Sequence, residues 1–106
     1  MSKFMRLLVF FDIPVTTVEN RKMATKFRKY LIDDGFYMIQ FSVYGRLCNT
    51  IENAQEHEKK LKFHLPYSGS VRSMIVTEKQ YSTMNILCGE KKKKEKKVSE
   101  NQISFF

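Results

Sequence analysis

The first third of the chain shows a strand-like apolar run followed by apolar residues at helical spacing. Residues 5–11 are mostly apolar and rich in aromatic and β-branched side chains, which predicts a buried central strand that ends at Asp12. Pro14 then breaks the pattern, and Thr-Thr-Val-Glu at residues 16–19 is typical of a capping box that opens a helix. We expect this helix to stop at residues 33–35, because Gly35 suits a left-handed cap. Helical spacing assigns four residues to its core face: Met23, Phe27, Tyr30 and Leu31.

The middle of the chain alternates with a period of two, as strands do. Within residues 36–47, one predicted face carries Tyr37, Ile39, Phe41 and Val43, and the other carries Gln40, Ser42 and Tyr44. The segment is long for one strand, so it predicts either one bent strand or two short antiparallel strands. No turn signal within it shows where the chain would reverse.

The remaining pattern predicts a helix between further strands. Asn-Thr-Ile-Glu at residues 49–52 is a second capping-box sequence, and a thin apolar stripe of Ile51, Ala54 and Leu61 follows it, ending near His64. A loop at residues 65–69 leads to a predicted strand at 71–77 and a short one at 84–88. With two strands in the middle, the order is β-α-β-β-α-β, which is an α+β fold of the ferredoxin-like type.

Such a sheet is covered by helices on one face only. We expect the other face to be part buried and part polar, with Gln40, Ser42 and Tyr44 beside the apolar Phe36 and Met38. A second copy of the chain could cover that face, so a homodimer is the predicted state.

The last seventeen residues differ in composition from those before them. We predict a domain over residues 1–89, a solvated lysine-rich linker over 90–100 and a docking strand over 101–106. The docking strand would add an edge strand to its own partner or to another protein through Ile103, Phe105 and Phe106. The alternative is a frayed terminus.

Composition narrows the class of protein. The chain has 106 residues, of which 42% are hydrophobic, so we expect one folded domain rather than a disordered chain. Nineteen Lys and Arg against eleven acids give a net charge of +8, which favours polyanionic partners, although such an excess can also serve only solubility. No apolar run is long enough for a membrane span, and Cys48 and Cys88 form no paired motif, so a reduced, cytoplasmic protein is expected.

Asp12 is the main candidate for chemistry. It ends a buried strand, and its oxygen ligands suit Mg²⁺ or Mn²⁺, which need few protein carboxylates. One aspartate is too little for a metal site, but two copies facing each other across a dimer axis could share one ion. The competing interpretation is an ordinary turn residue close to a proline. The sequence holds no P-loop, no Ser-His-Asp set and no zinc ligand set.

The first predicted helix carries five cations: Arg21, Lys22, Lys26, Arg28 and Lys29. Lys22, Lys26 and Lys29 are spaced to form one row opposite the core face, and such a row can follow phosphates without recognising bases. The alternative is a solvated helix face. Arg46 and Arg72 are further candidates to extend this surface. Four aromatics could stack on bases, although core packing is the preferred interpretation: Tyr37, Phe41, Tyr44 and Tyr81.

Several segments together resemble the CRISPR-associated protein 2 family, over about residues 5–89. They are LLVFFDIP at residues 7–14, NRK at 20–22, FRKYL at 27–31, GF at 35–36, QFSVY at 40–44 and IVTEKQY at 75–81. The last of these resembles the branch of the family found in type II systems, those with a single large effector nuclease. The order and spacing of the segments carry the resemblance, since no single motif is decisive.

This resemblance implies a ferredoxin-like homodimer that bridges two dimers of the CRISPR-associated protein 1 integrase. The assembly would hold a short DNA duplex, the prespacer, and insert it into the CRISPR repeat array, with the small dimer clamping the DNA backbone. Family members are also described as Mg²⁺-dependent endoribonucleases, some cutting DNA, and Asp12 matches the family's metal-binding aspartate.

One departure from the family pattern bears on nuclease activity. Many members have arginine two residues before the glutamine of the QFSVY segment, where this chain has Met38. Loss of that cation would weaken stabilisation of the transition-state charge. We therefore expect a DNA-binding adaptor whose nuclease activity is weak or dispensable. The alternatives are a metal-dependent endoribonuclease acting on single-stranded RNA and a toxin-like ribonuclease acting alone.

Overall fold

The chain folds into one antiparallel sheet with helices packed on it, and a computed structural model describes residues 4–89. The elements are β1 (Met5–Asp12), α1 (Val18–Asp33), β2 (Tyr37–Gln40), β3 (Val43–Cys48), α2 (Ile51–Leu61), β4 (Ser70–Thr77) and α3 (Glu78–Ser82). The strand order is β2-β3-β1-β4, with β1 in the interior of the sheet. This is the predicted α+β, ferredoxin-like arrangement. The predicted linker (90–100) and edge strand (101–106) lie outside the described residues.

Both long helices begin one residue later than the capping-box sequences predict. The hydroxyl of Thr17 accepts a hydrogen bond from the Asn20 amide at 3.1 Å, and the hydroxyl of Thr50 accepts one from the Asn53 amide at 3.0 Å. The predicted caps at Thr16 and Asn49 are therefore wrong. The glutamates of the two sequences instead lie in the first helical turn, where the helix dipole favours acidic groups. The end of α1 is as predicted, with Gly35 at φ 95°.

The segment after α1 forms two short strands, the second of the two predicted alternatives. Phe41 and Ser42 make the turn between β2 and β3. Ser42 has φ 67°, and its carbonyl accepts a hydrogen bond of 3.0 Å from the Phe11 amide, which ties the turn to β1. Because Phe41 lies in the turn, it leaves the alternation of the strand and is 77% exposed. The prediction that it packs in the core with Tyr37 and Ile39 is wrong.

The main core lies between the sheet and α1 and α2. Leu7, Val9 and Phe11 of β1 point into it, and they meet the predicted α1 residues Met23, Phe27 and Leu31, with Tyr30 partly buried beside them. Ala54 and Leu61 of α2 complete the predicted stripe, whereas Ile51 is exposed.

The assignment of residues to the two sheet faces is the reverse of the prediction. Phe36 and Tyr44 are buried in the helix-covered core, and Tyr37 and Ile39 pack with Leu8 on the other face. We call this second side of the sheet the open face. Period-two alternation separates the two sets but does not say which one the helices cover.

A third helix replaces the last predicted strand. Thr77 ends β4 and caps α3 through a reciprocal capping box with Gln80, so the chain turns into a helix where β4 ends. The prediction of a strand at 84–88 is wrong, because those residues pair with no strand among residues 4–89. Tyr81 of α3 is buried against the Leu8 cluster, so α3 covers part of the open face. Every helix within residues 4–89 is too short or too polar to cross a bilayer.

Candidate nucleic-acid interface

The surface side of α1 gathers most of the predicted cations. Because the core stripe of α1 is buried, the opposite side faces solvent along the whole helix. Four cations line one shallow depression there, together with Val18 and Thr25, and all four are exposed: Arg21, Lys22, Lys26 and Lys29. We call these four residues the α1 row. The structure therefore brings them together, and their role in binding stays a prediction.

Internal partners do little to neutralise the α1 row. Lys29 forms an ion pair with Asp33 at 2.8 Å, and the hydrogen bond and the acidic charge raise the pKa of Lys29. Both side chains are mostly exposed, so an anionic ligand can compete for this lysine. Arg21 donates a hydrogen bond to the Val15 carbonyl, which leaves its charge uncompensated. Within residues 4–89, Lys22 and Lys26 form no ion pair.

The acid at the C-terminal end of α1 is engaged by another element. The two Asp34 carboxylate oxygens lie 2.9 Å from Lys60 Nζ and 2.7 Å from His57 Nδ1, both on α2. Burial of Asp34 opposes its charge, but the hydrogen bonds from Lys60 and His57 prevail and hold its pKa below the ordinary value. Asp34 therefore joins α1 to α2 and is not available to offset the α1 row.

Arg28 is separated from the other four cations. It is half-buried, and its guanidinium carbon lies 4.8 Å from the ring centroid of Phe41 and 5.6 Å from that of Phe11. The sequence prediction assigned Arg28 to nucleic-acid binding with the other cations of the helix, although the row predicted from spacing held only Lys22, Lys26 and Lys29. The structure instead turns Arg28 toward the β2–β3 turn, at the end of the sheet where β1 also ends.

Asp12 lies at the exposed end of β1, on the face opposite α1. It pairs with Ser70 of β4, and alternation along β1 places its side chain on the open face with Leu8 and Phe10. The backbone there is tightly covered, since a Cβ on Gly69 would lie 2.3 Å from the Asp12 carbonyl oxygen. Within one subunit, Asp12 and the α1 row therefore lie on opposite sides of the sheet.

Within residues 4–89, Asp12 is not part of any cluster of possible metal ligands. Among residues 4–89, no three acids, histidines or cysteines cluster as a metal site. Mg²⁺ nevertheless binds through one or two carboxylates and retains several waters, so an exposed aspartate fits as one of its ligands. Whether two copies of Asp12 share one ion stays a prediction.

The other residues suggested by the sequence divide clearly. Arg46 donates a hydrogen bond to the Asp34 carbonyl at 2.6 Å, so it is part of the fold and does not extend the cationic surface. Arg72 is exposed, but its pairing with Phe10 places it on the open face. Of the four aromatics considered for base stacking, Tyr37, Tyr44 and Tyr81 are buried, in agreement with core packing. Phe41 alone of the four is exposed.

Sequence reasoning missed a buried ion pair on the open face. Arg6 of β1 and Glu78 of α3 are almost fully buried and are joined by hydrogen bonds of 2.6 and 3.0 Å. Arg6 also donates to the Tyr37 hydroxyl. The available signal was a single charged residue inside an otherwise apolar strand, which requires a buried partner.

Comparison with known proteins gives a consistent result. The family model described as "CRISPR associated protein Cas2" matches residues 5–84. The chain is 50% identical to the "CRISPR-associated endoribonuclease Cas2" of Acidovorax ebreus (strain TPSY), over 96% of this chain and 100% of that protein. It is 48% identical to the protein of the same name from Ligilactobacillus salivarius (strain UCC118), over 93% and 98% of the two chains. A third, from Flavobacterium psychrophilum, is 44% identical over 94% and 86%.

Proposed function

The chain belongs to the CRISPR-associated Cas2 family, and on that premise we propose that it is a CRISPR adaptation subunit that clamps the backbone of short duplex DNA. In this role a homodimer bridges two dimers of the CRISPR-associated protein 1 integrase while spacer DNA is inserted. The integrase performs the strand transfer, and this chain supplies the surface that holds the duplex.

The α1 row is the observation that carries the proposal. It presents four exposed cations along one helix, and only Lys29 has an acidic partner among residues 4–89. Binding through phosphates releases counterions and needs no contact with bases, which suits a subunit that must accept duplexes of any sequence. The net charge of +8 acts in the same direction by attracting the duplex from solution.

The open face supports the homodimer. α3 covers only part of that face, and Phe10 and Met74 remain 37% and 53% exposed on it. A second copy packed over these residues would bury them and would bring the two Asp12 side chains toward each other, since Asp12 follows Phe10 on the same face. The α1 rows of both copies would then lie on the outside of the pair.

Duplex affinity measured across a range of salt concentrations tests the clamp. The triple variant Lys22→Glu, Lys26→Glu, Lys29→Glu should bind a short duplex more weakly. If each lysine neutralises one phosphate, the slope of log affinity against log salt falls by about 3. The matched control reverses three exposed lysines elsewhere on the surface: Lys59 on α2, Lys62 directly after α2, and Lys79 on α3. If both variants lose affinity equally, only net charge matters and the assignment of the surface is wrong.

Assembly is tested separately by light scattering. The chain alone should have the mass of a dimer, and a mixture with the integrase should have the mass of one dimer joined to two integrase dimers. Deletion of residues 101–106 tests the predicted docking strand with Ile103, Phe105 and Phe106. If assembly and dimer stability both survive the deletion, the docking prediction fails.

A metal-dependent endoribonuclease is the second candidate function. The relatives named above carry "endoribonuclease" in their names, and Asp12 is an exposed carboxylate at the end of a buried strand. Asp12 from each of two subunits would hold one Mg²⁺, and a bound ion would activate water and neutralise the scissile phosphate. The Asp12→Asn variant should then lose Mg²⁺- or Mn²⁺-dependent cleavage of single-stranded RNA. Asp33→Asn is the control, and cleavage that persists in Asp12→Asn excludes this site.

A further inference from the structure

The β2–β3 turn presents an aromatic ring to solvent in a fixed position. Phe41 is 77% exposed although it is one of the most apolar residue types. Two features hold its backbone in place. Ser42 adopts φ 67°, and its carbonyl accepts the hydrogen bond from the Phe11 amide of β1. The ring therefore stands at a defined point of the surface, at the end of the sheet where β1 ends.

Arg28 of α1 lies against this ring. Its guanidinium carbon is 4.8 Å from the Phe41 centroid and 5.6 Å from the Phe11 centroid, and both distances are within the range of cation–π attraction. Contact with ring faces does not consume the N–H donors in the guanidinium plane. Within residues 4–89, Arg28 forms no ion pair and no side-chain hydrogen bond, so all five of those donors remain available.

We infer that Phe41 is a positioning residue that holds the Arg28 guanidinium ready to bind a phosphate of duplex DNA. This inference rests on the proposed clamp and extends it from the α1 row to the β2–β3 turn. A guanidinium whose donors form a rigid fork matches two phosphate oxygens at once. Contact with the rings restricts the rotamers of the long Arg28 side chain before binding, so less conformational entropy is lost when the phosphate arrives.

Duplex affinity in a double-mutant cycle tests the inference. Arg28→Ala should remove one phosphate contact and lower the salt slope by about 0.9. Phe41→Leu keeps an apolar side chain but removes the ring, and it should weaken binding about 2- to 5-fold, the strength of an exposed cation–π contact. In an Arg28→Ala background the same change should have no effect, since the residue it positions is already absent. Phe41→Tyr should restore most of the affinity lost in Phe41→Leu.

Two controls separate this effect from general consequences of losing a ring. Phe63 is 85% exposed and has no arginine over its ring among the described residues, so Phe63→Leu should leave duplex affinity unchanged. Phe41→Leu combined with Lys22→Ala should show additive losses, because no ion pair or cation–π contact among residues 4–89 joins these two residues. Urea midpoints for every variant show whether folding has changed.

The outcomes distinguish this inference from the proposed function. If the wild-type protein binds duplex with a steep salt dependence but Phe41→Leu matches it, only the positioning role is overturned. If the effects of Phe41→Leu and Arg28→Ala are additive, Phe41 contacts the DNA itself and does not act through Arg28, which also overturns the inference. If the wild-type protein does not bind duplex at low salt, the clamp and this inference both fall.

Discussion

The buried pair of Arg6 and Glu78 allows a sharp test of how the fold is held together. Arg6 comes from the interior strand β1 and Glu78 from the first residue of α3, and both side chains are at most 3% exposed. Glu78 accepts two hydrogen bonds from the guanidinium, at 2.6 and 3.0 Å, and the guanidinium carbon lies 4.6 Å from the Tyr81 centroid. The variant Glu78→Gln would perturb this pair.

The expected loss is large because an arginine would remain buried with its charge uncompensated. In the native protein burial opposes the charge of Arg6, but the hydrogen bond to Glu78 and nearby charges outweigh it and raise the pKa of Arg6. Without Glu78 the guanidinium would still keep its proton, because arginine is not deprotonated in proteins. Breaking a buried pair on one side costs ~3–5 kcal/mol. The whole free energy of unfolding of a small domain is only ~5–15 kcal/mol. Since ~1 kcal/mol shifts the Tm of such a domain by ~4–8 °C, Glu78→Gln should lower the Tm by ~12 °C or more.

Replacing both partners should restore most of the stability. Apolar residues of similar volume often stabilise a protein as well as a buried ion pair does. The free energy of unfolding of the double variant Arg6→Met, Glu78→Leu should therefore lie within ~1 kcal/mol of the wild-type value. Urea denaturation, monitored by circular dichroism, measures the free energy of unfolding of both variants. Asp33→Ala, which breaks the exposed pair with Lys29, is the control and should not move the midpoint measurably. If Glu78→Gln unfolds at the wild-type midpoint, or if the double variant is no more stable than the single one, the uncompensated charge is not the cause.

Three further predictions use other parts of the structure. Gly69→Ala should destabilise the protein by more than ~2 kcal/mol, whereas Gly89→Ala should destabilise it by only ~1 kcal/mol. Both glycines have φ above 90°, but of the two only Gly69 would place a Cβ against backbone, at 2.3 Å. Urea midpoints compare the two variants. Asp34→Asn should destabilise most at neutral pH. The pKa of Asp34 is lowered in the folded protein, so its full contribution to stability is present above pH 3.8, the ordinary pKa of an aspartate. That contribution is lost as the pH falls through the lower pKa of the folded state, and the unfolding midpoints of variant and wild type should converge there. In the native protein a thiol reagent should modify Cys88, which is exposed, but not Cys48, which is buried and whose pKa is raised by that burial; equal rates would contradict the packing.

Local patterns predicted the order of elements from β1 to β4, with residues 36–47 left open as one strand or two, but not the helix that follows β4. The change from period two to helical spacing depends only on neighbouring residues, so β1, α1, α2 and β4 were predicted close to their observed bounds. The faces of β2 and β3 were not, because alternation around Tyr37 and Tyr44 fits either side and only the packing of the helices decides between them. α3 had a local signal, the capping box at Thr77 and Gln80, but a five-residue helix has too little periodicity to be noticed.

The candidate interface was predictable only where helix geometry alone decides it. Positions 22, 26 and 29 must lie on one side of any α-helix, so the row followed from spacing. Whether a cation is available for a ligand depends instead on contacts distant in sequence. Arg28 and Arg46 were both candidates from the sequence, yet Arg46 is engaged by the Asp34 carbonyl and Arg28 rests on an aromatic ring that offers no acceptor oxygen. Arg28 meets Phe41 because the chain reverses there, a turn that no residue pattern marked, and on the proposed clamp Arg28 rather than Arg46 is therefore the arginine available to a phosphate.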